Sequence, residues 1–185
     1  MNMTVWRRIP WVAAALIVAM LVHLASLYAI PHLVMARALT KLGTANAMHI
    51  GHRPDATSRA VVRPSPDLLY AACPYDLSNG PLRVTAQIPH GTYWSISAFD
   101  SATNNFFVHN DSQTLGDSLE VLLMRRGQAW PPLGNALERV LLISPTTKGL
   151  ILIRTLIDND KNVAALQAAL HKSTCETVAT APRLR

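Results

Sequence analysis

The sequence predicts a mainly β (α+β) fold: an N-terminal transmembrane helix, then an antiparallel β-sandwich or barrel-like domain with one C-terminal helix. Three observations predict it. A 22-residue stretch without a formal charge runs from Ile9 to Ile30. Short alternating apolar runs, separated by turn residues, fill the middle of the chain. One apolar stripe at helical spacing lies near the end.

The apolar stretch reads IPWVAAALIVAMLVHLASLYAI. As a helix it would measure roughly 33 Å, enough for a hydrocarbon core of about 30 Å. Trp6 and Trp11 mark one end and Tyr28 the other, as an interfacial aromatic belt would. Pro10 suits a first helical turn, where its missing N–H costs little. His23 and Ser26 are the clearest polar side chains inside. A lone span offers His23 no partner helix, so a tolerated neutral His is the simpler reading.

Arg7 and Arg8 precede the span, which keeps the short N-terminus in the cytoplasm and sends the rest out. Arg37 and Lys41 on the far side temper that bias. A cleaved signal peptide is the competing reading, because Ala36-Arg37-Ala38 has the small-x-small form of a cleavage site. Against it, the apolar run far exceeds the usual h-region of about 7–15 residues. Both readings export the domain.

Charge is distributed unevenly. Residues 1–63 carry seven Lys/Arg against Asp55, whereas residues 64–185 carry ten of each sign. The basic excess flanks the apolar run and the domain is neutral. That points to a lipid bilayer as partner and excludes nucleic acid, which needs a basic face on the folded domain.

The chain therefore divides into a cytoplasmic N-terminus (1–8), a transmembrane helix (9–30), a juxtamembrane helix and linker (31–60), a β-rich domain (61–175) and a tail (176–185). Pro31 is expected to begin a new helix through Leu42, with Met35, Ala38, Leu39 and Leu42 on one face. Residues 43–60 show no period. Met48, His49 and His52 there lack a further ligand in register, so no metal is expected. No cofactor is expected either.

Leu82 to Ile88 alternates cleanly, with Leu82, Val84, Ala86 and Ile88 on one face. Asn79-Gly80-Pro81 precedes it. Pro89-His90-Gly91-Thr92 reads as a hairpin connection into a return strand, Tyr93 to Phe99. Further strands are expected at Asn105 to His109, Leu119 to Met124, Arg139 to Ile143 and Leu150 to Ile157. Val61-Val62 and Leu68 to Ala71 would supply one or two more. Asn162 to Lys172 changes period: Val163, Leu166, Ala169 and Leu170 form a helical stripe, with Asp158 and Asp160 ahead of it and Lys172 behind.

Two cysteines, Cys73 and Cys175, in an exported domain are expected to pair. The alternative is two unlinked thiols, one of them buried. No G-x-S-x-G, phosphate-loop, G-x-G-x-x-G, H-E-x-x-H or C-x-x-C pattern occurs. What remains is a polar set: Asp67, Tyr70 and Asp76, then Asp100, Asn104, Asn105 and His109, with Asn110 and Asp111 beside them. A carboxylate near a His could do acid–base work. The same residue types also close turns and strand ends through their own backbone, which is the blander reading.

The stretch from Arg63 to Asp111 resembles the bacterial family called domain of unknown function 1254. The matching pieces are R-P-x-P-D-x-L-Y (Arg63, Pro64, Pro66, Asp67, Leu69, Tyr70) and D-L-x-x-G-P (Asp76, Leu77, Gly80, Pro81). They continue with G-x-Y-W-S (Gly91, Tyr93, Trp94, Ser95) and D-x-x-T-N-N (Asp100, Thr103, Asn104, Asn105). Ile143 to Asp158 resembles the family's end, including a G-L-x-hydrophobic-x-R strand that ends in Arg154. The resemblance implies architecture rather than chemistry. Longer relatives carry a second domain, domain of unknown function 1214. The resemblance therefore implies that a separate chain like that companion could be a partner.

Two functions follow as expectations. One is a non-catalytic module, tethered to a bacterial inner membrane, that docks a partner β-domain in the periplasm. The other is an enzyme or small-ligand binder using Asp67, Tyr70, Asp100, Asn104 and Asn105, with His109 nearby, in one pocket.

Overall fold

The computed structural model describes residues 3–59, 63–129, 131 and 138–178. Helix α1 runs without a break over Met3–Leu42. It is the one helix among the described residues long and apolar enough to cross a membrane. Its apolar side chains, such as Leu16, Ile17 and Leu21, touch nothing else in the protein and are exposed.

The expected break at Pro31 does not occur. Proline removes one N–H from the ladder, the one that would reach Leu27 O, and the helix runs on past it to Leu42. Apolar membrane-type helices tolerate a proline in their interior. The juxtamembrane segment is thus a continuation of the span. Met35 and Ala38 on its far portion are buried against the domain.

Among the described residues the domain has nine strands: β1 (His49–Ile50), β2 (Leu68–Asp76), β3 (Leu82–Gln87), β4 (Trp94–Phe99), β5 (Asn105–Asn110), β6 (Ser118–Arg125), β7 (Arg139–Ser144), β8 (Lys148–Leu156) and β9 (Thr174–Thr177). Helix α2 covers Val163–His171. One sheet has the order β1-β2-β8-β4-β5 and the other β7-β6-β3-β9. All pairs are antiparallel except β6 with β7. The sheets face each other without closing, which decides against a barrel.

Alternation fixes the core. Leu69, Ala71, Cys73 and Tyr75 point inward from β2, Trp94, Ile96 and Ala98 from β4, and Ile151 and Ile153 from β8. Leu82, Val84 and Ala86 of β3 and Leu119, Val121 and Leu123 of β6 meet them from the opposite layer. Full burial of each Leu, Ile or Val among them contributes roughly 1.5–3 kcal/mol. Leu166 and Leu170 of α2 complete the cluster, as the stripe predicts. The Cys73–Cys175 disulfide joins β2 to β9, and so one sheet to the other.

The connection at Pro89–Thr92 is not a hairpin. Strand β3 continues its pairing with Ile88 N donating to Asp117 O, while β4 pairs with β8 in the other sheet. Both strands have one apolar face, but those faces approach the core from opposite sides. Alternation alone cannot separate that arrangement from two strands side by side. The hairpin is β4–β5, closed by Asp100–Asn104.

Strand β2 also outlasts its expected end at Ala71. Pro74 lies within it because β1 covers only Ala71 and Ala72 on that side. The donor that proline lacks would face an open edge, and Pro74 O accepts from Asn46 N at 2.7 Å. Strands β1 and β9 lie in segments read as linker and as domain end. Val61 and Val62 lie outside the described residues.

Candidate functional site

The seven polar candidates split between the two ends of the five-stranded sheet. At one end stands the β4–β5 turn. Asp100 is buried, and its Oδ1 accepts from Ala102 N at 2.8 Å and Asn104 N at 2.9 Å. Its Oδ2 accepts from Asn104 Nδ2 at 2.9 Å. Thr103 adopts a left-handed φ of 65° inside this cradle. Asn105 Oδ1 accepts from Phe107 N. The carboxylate that looked available for acid–base work is occupied in closing the turn.

Asp76 lies at the same end of the sheet. It accepts from Ser78 N at 2.9 Å and pairs with Lys148 at 3.2 Å. The Ser78 contact holds its carboxyl below the usual aspartate range, and Lys148 adds to the effect. A carboxyl lowered in the folded state contributes stability above its unfolded pKa and loses it as pH falls through the folded value. The stability gap between wild type and Asp76→Asn should therefore be flat from pH 7 to about 5 and close below about 4. Urea titrations across that range would measure it. A gap that widens on acidification would contradict the assignment.

Asp67 and Tyr70 lie at the opposite end. Asp67 is exposed, and its carbonyl accepts from Ile157 N. Tyr70 Oη accepts from Ser65 N at 3.0 Å. Tyr70 pairs with Arg154, whereas Phe99, just before Asp100, pairs with Leu150. Four residues of β8 separate those levels, roughly 13 Å along the strand. His109, near the Tyr70 end, contacts Thr114 Oγ1 at 2.9 Å and Glu138 at 3.5 Å. The expected single pocket is thus two separate groups, each engaged locally.

Pairing assembles a row that the candidate set missed. Tyr70, Arg154, Ser95 and Asn110 are direct cross-strand neighbours on β2, β8, β4 and β5. They alternate with core residues, so they share the outer face of the sheet. Tyr70, Ser95 and Arg154 come from three different motifs of the sequence. Only the register brings them together.

A shallow cleft of about 470 Å³ lies between Ile88–Tyr93 and the loop containing Asp111 and Thr114–Gly116. His90 and Asp117 pair nearby at 2.7 Å. Beyond it, the outer face of the four-stranded sheet carries an ion network. Glu120 pairs with Arg139 and, at 3.2 Å, with Arg83. Next to it, Leu122 and Met124 of β6 register with Leu141 and Ile143 of β7. Leu141 is 47% and Ile143 54% exposed. Among the described residues no strand pairs with the outer edge of β7.

Fold and surface together define a class: an apolar helix able to span a membrane, carrying a two-sheet α+β domain stapled by a disulfide. The chain belongs to the family described as protein of unknown function (DUF1254), whose pattern matches residues 45–177. No curated protein matches it. Among solved structures, it is similar to a Vibrio parahaemolyticus protein with a TM-score of 0.61 and 12% identity. That match covers 82% of this chain and 35% of the other, so the chain spans about a third of that protein's length. An uncharacterized Burkholderia cenocepacia protein matches with a TM-score of 0.47 and 13% identity, over 84% of this chain and 41% of the other.

Proposed function

We propose that this protein is a membrane-tethered docking module. In this reading α1 anchors it in a bacterial inner membrane with the domain on the periplasmic side. The domain presents β7 to a strand of a separate chain resembling the companion domain of longer relatives. The observation that carries the reading is the outer edge of β7, which no strand among the described residues covers, with two large apolar side chains beside it. An edge with no described strand beyond it is a template for strand addition. Arg7 and Arg8 ahead of the span support the orientation, and the disulfide supports an oxidising compartment.

The test is photo-crosslinking in native membranes from a reactive residue placed at position 143 of the full-length protein. One adduct with a different chain, mapped to a β-strand and lost in Leu141→Asp, is the expected result. An adduct with a second copy, or none, overturns the reading. Circular dichroism of the variants checks that they remain folded.

A further inference from the structure

We propose that the row centred on Arg154 is a binding site for a phosphate group, supplied by a lipid headgroup at the membrane surface. Arg154 is half-buried on the outer face of the five-stranded sheet. Its Nη2 donates to Ser97 Oγ at 3.3 Å. Its Nε is buried and meets no acceptor. Every Asp and Glu of the sequence lies in the described residues, and none forms an ion pair with this guanidinium. Apolar Leu152 and Leu156 flank it on β8. A partly dehydrated cation without a counter-ion is costly, and proteins ordinarily pair such a group.

The surroundings supply hydroxyl donors. Ser95 is fully buried, and its Oγ has no hydrogen-bond partner. Ser95 is the direct cross-strand neighbour of Arg154 on one side, and Tyr70 on the other. Tyr70 Oη accepts from Ser65 N, which leaves its own O–H to donate. A guanidinium fork beside hydroxyl donors, with no carboxylate, matches the several acceptor oxygens of a phosphate.

Position selects the source. α1 packs on β2 and β8, burying Met35 and Ala38, and Ala72 on the outer face is buried as well. Ala72 pairs with Leu152, two residues from Arg154. Met35 follows the end of the apolar run by five residues, a rise of roughly 7.5 Å. The two strands that α1 contacts are the ones that carry Tyr70 and Arg154, which keeps the row on the side of the domain tied to the helix. A soluble phosphate would use the same donors, so the experiment separates the two sources. The site is remote from β7, and its failure would leave the docking reading standing.

Full-length protein in nanodiscs of phosphatidylglycerol and phosphatidylcholine would be extracted and its retained lipid counted by native mass spectrometry. A second arm would titrate inorganic phosphate into detergent-purified protein and follow the melting temperature. Wild type should retain one phosphatidylglycerol, and Arg154→Gln should retain at least tenfold less. Ser95→Ala removes a hydroxyl that has no partner, so it should fold normally and still lower retention several-fold. A melting shift with phosphate, absent in Arg154→Gln but without lipid retention, would keep the site and overturn the lipid as its source. Equal retention and equal phosphate response in wild type and both folded variants would overturn the site.

Discussion

Gly149→Ala is expected to lower the stability of the domain by about 3–4 kcal/mol, combining an overpacked core with a disturbed buried hydrogen bond. Gly149 is on β8, directly opposite Tyr75 on β2. A Cβ there would run into Phe99 O, Tyr75 Oη and Tyr75 Cζ. None of these is a flexible tip. Phe99 O belongs to β4, which pairs with β8 along its whole length. Tyr75 is 1% exposed, and its Oη donates toward Phe99 O at 3.2 Å and contacts Ser144 Oγ at 2.9 Å. Burial pushes the Tyr75 phenol above its usual range, so it remains a neutral donor at neutral pH. Glycine is needed for space, because the ring crosses the strand where a side chain would begin. Chemical denaturation of the two proteins would give the difference. Tyr75→Phe in the same series separates the terms: it removes the hydroxyl, relieves part of the clash, and should make the further Gly149→Ala change less costly than in wild type. A loss below about 1 kcal/mol for Gly149→Ala alone would show that β4 and β8 move apart freely.

That dependence on register explains which parts of the fold were legible in the sequence. The faces of β3 and β4 follow from alternation, and the buried pair Leu166 and Leu170 follows from helical spacing. Those are properties of one segment at a time. Pairing is a property of two. Pro89–Thr92 has the chemistry of a tight connection whether the next strand lies alongside or crosses to the facing sheet. Strand β9 is four residues long and includes Glu176, and it exists because β3 offers it a partner. The site follows the same division. Asp100 and Asn104 looked chemical because they are polar and close in sequence, and proximity is also what lets them close a turn. Tyr70, Ser95 and Arg154 lie in three distant segments, and only Tyr70 belongs to the polar candidate set. Their shared face becomes visible only when β8 is placed between β2 and β4.

Removal of the disulfide by Cys73→Ala with Cys175→Ala is expected to cost about 2–5 kcal/mol, with the upper end set by loop entropy in the unfolded chain. The cysteines are 102 residues apart with Cα atoms at 6.4 Å. Few other ties hold the last segment. Among the described residues β9 pairs only with β3, through four residues, at the edge of its sheet. Cys175 is the residue of β9 that reaches the core cluster, and Cys73 meets it from β2 in the facing sheet. Without the link, β9 and α2 should become the first region to open, because an edge strand of this length has little pairing of its own. Hydrogen exchange would show that loss of protection at Thr174–Thr177 and across Leu166–Leu170 before any change in β8. Reduced wild type should denature at nearly the same midpoint as the double variant, since both lack the same covalent constraint. If reduction left the midpoint of wild type unchanged, the sheets would be held by packing alone, and the link would carry no measurable share of the stability.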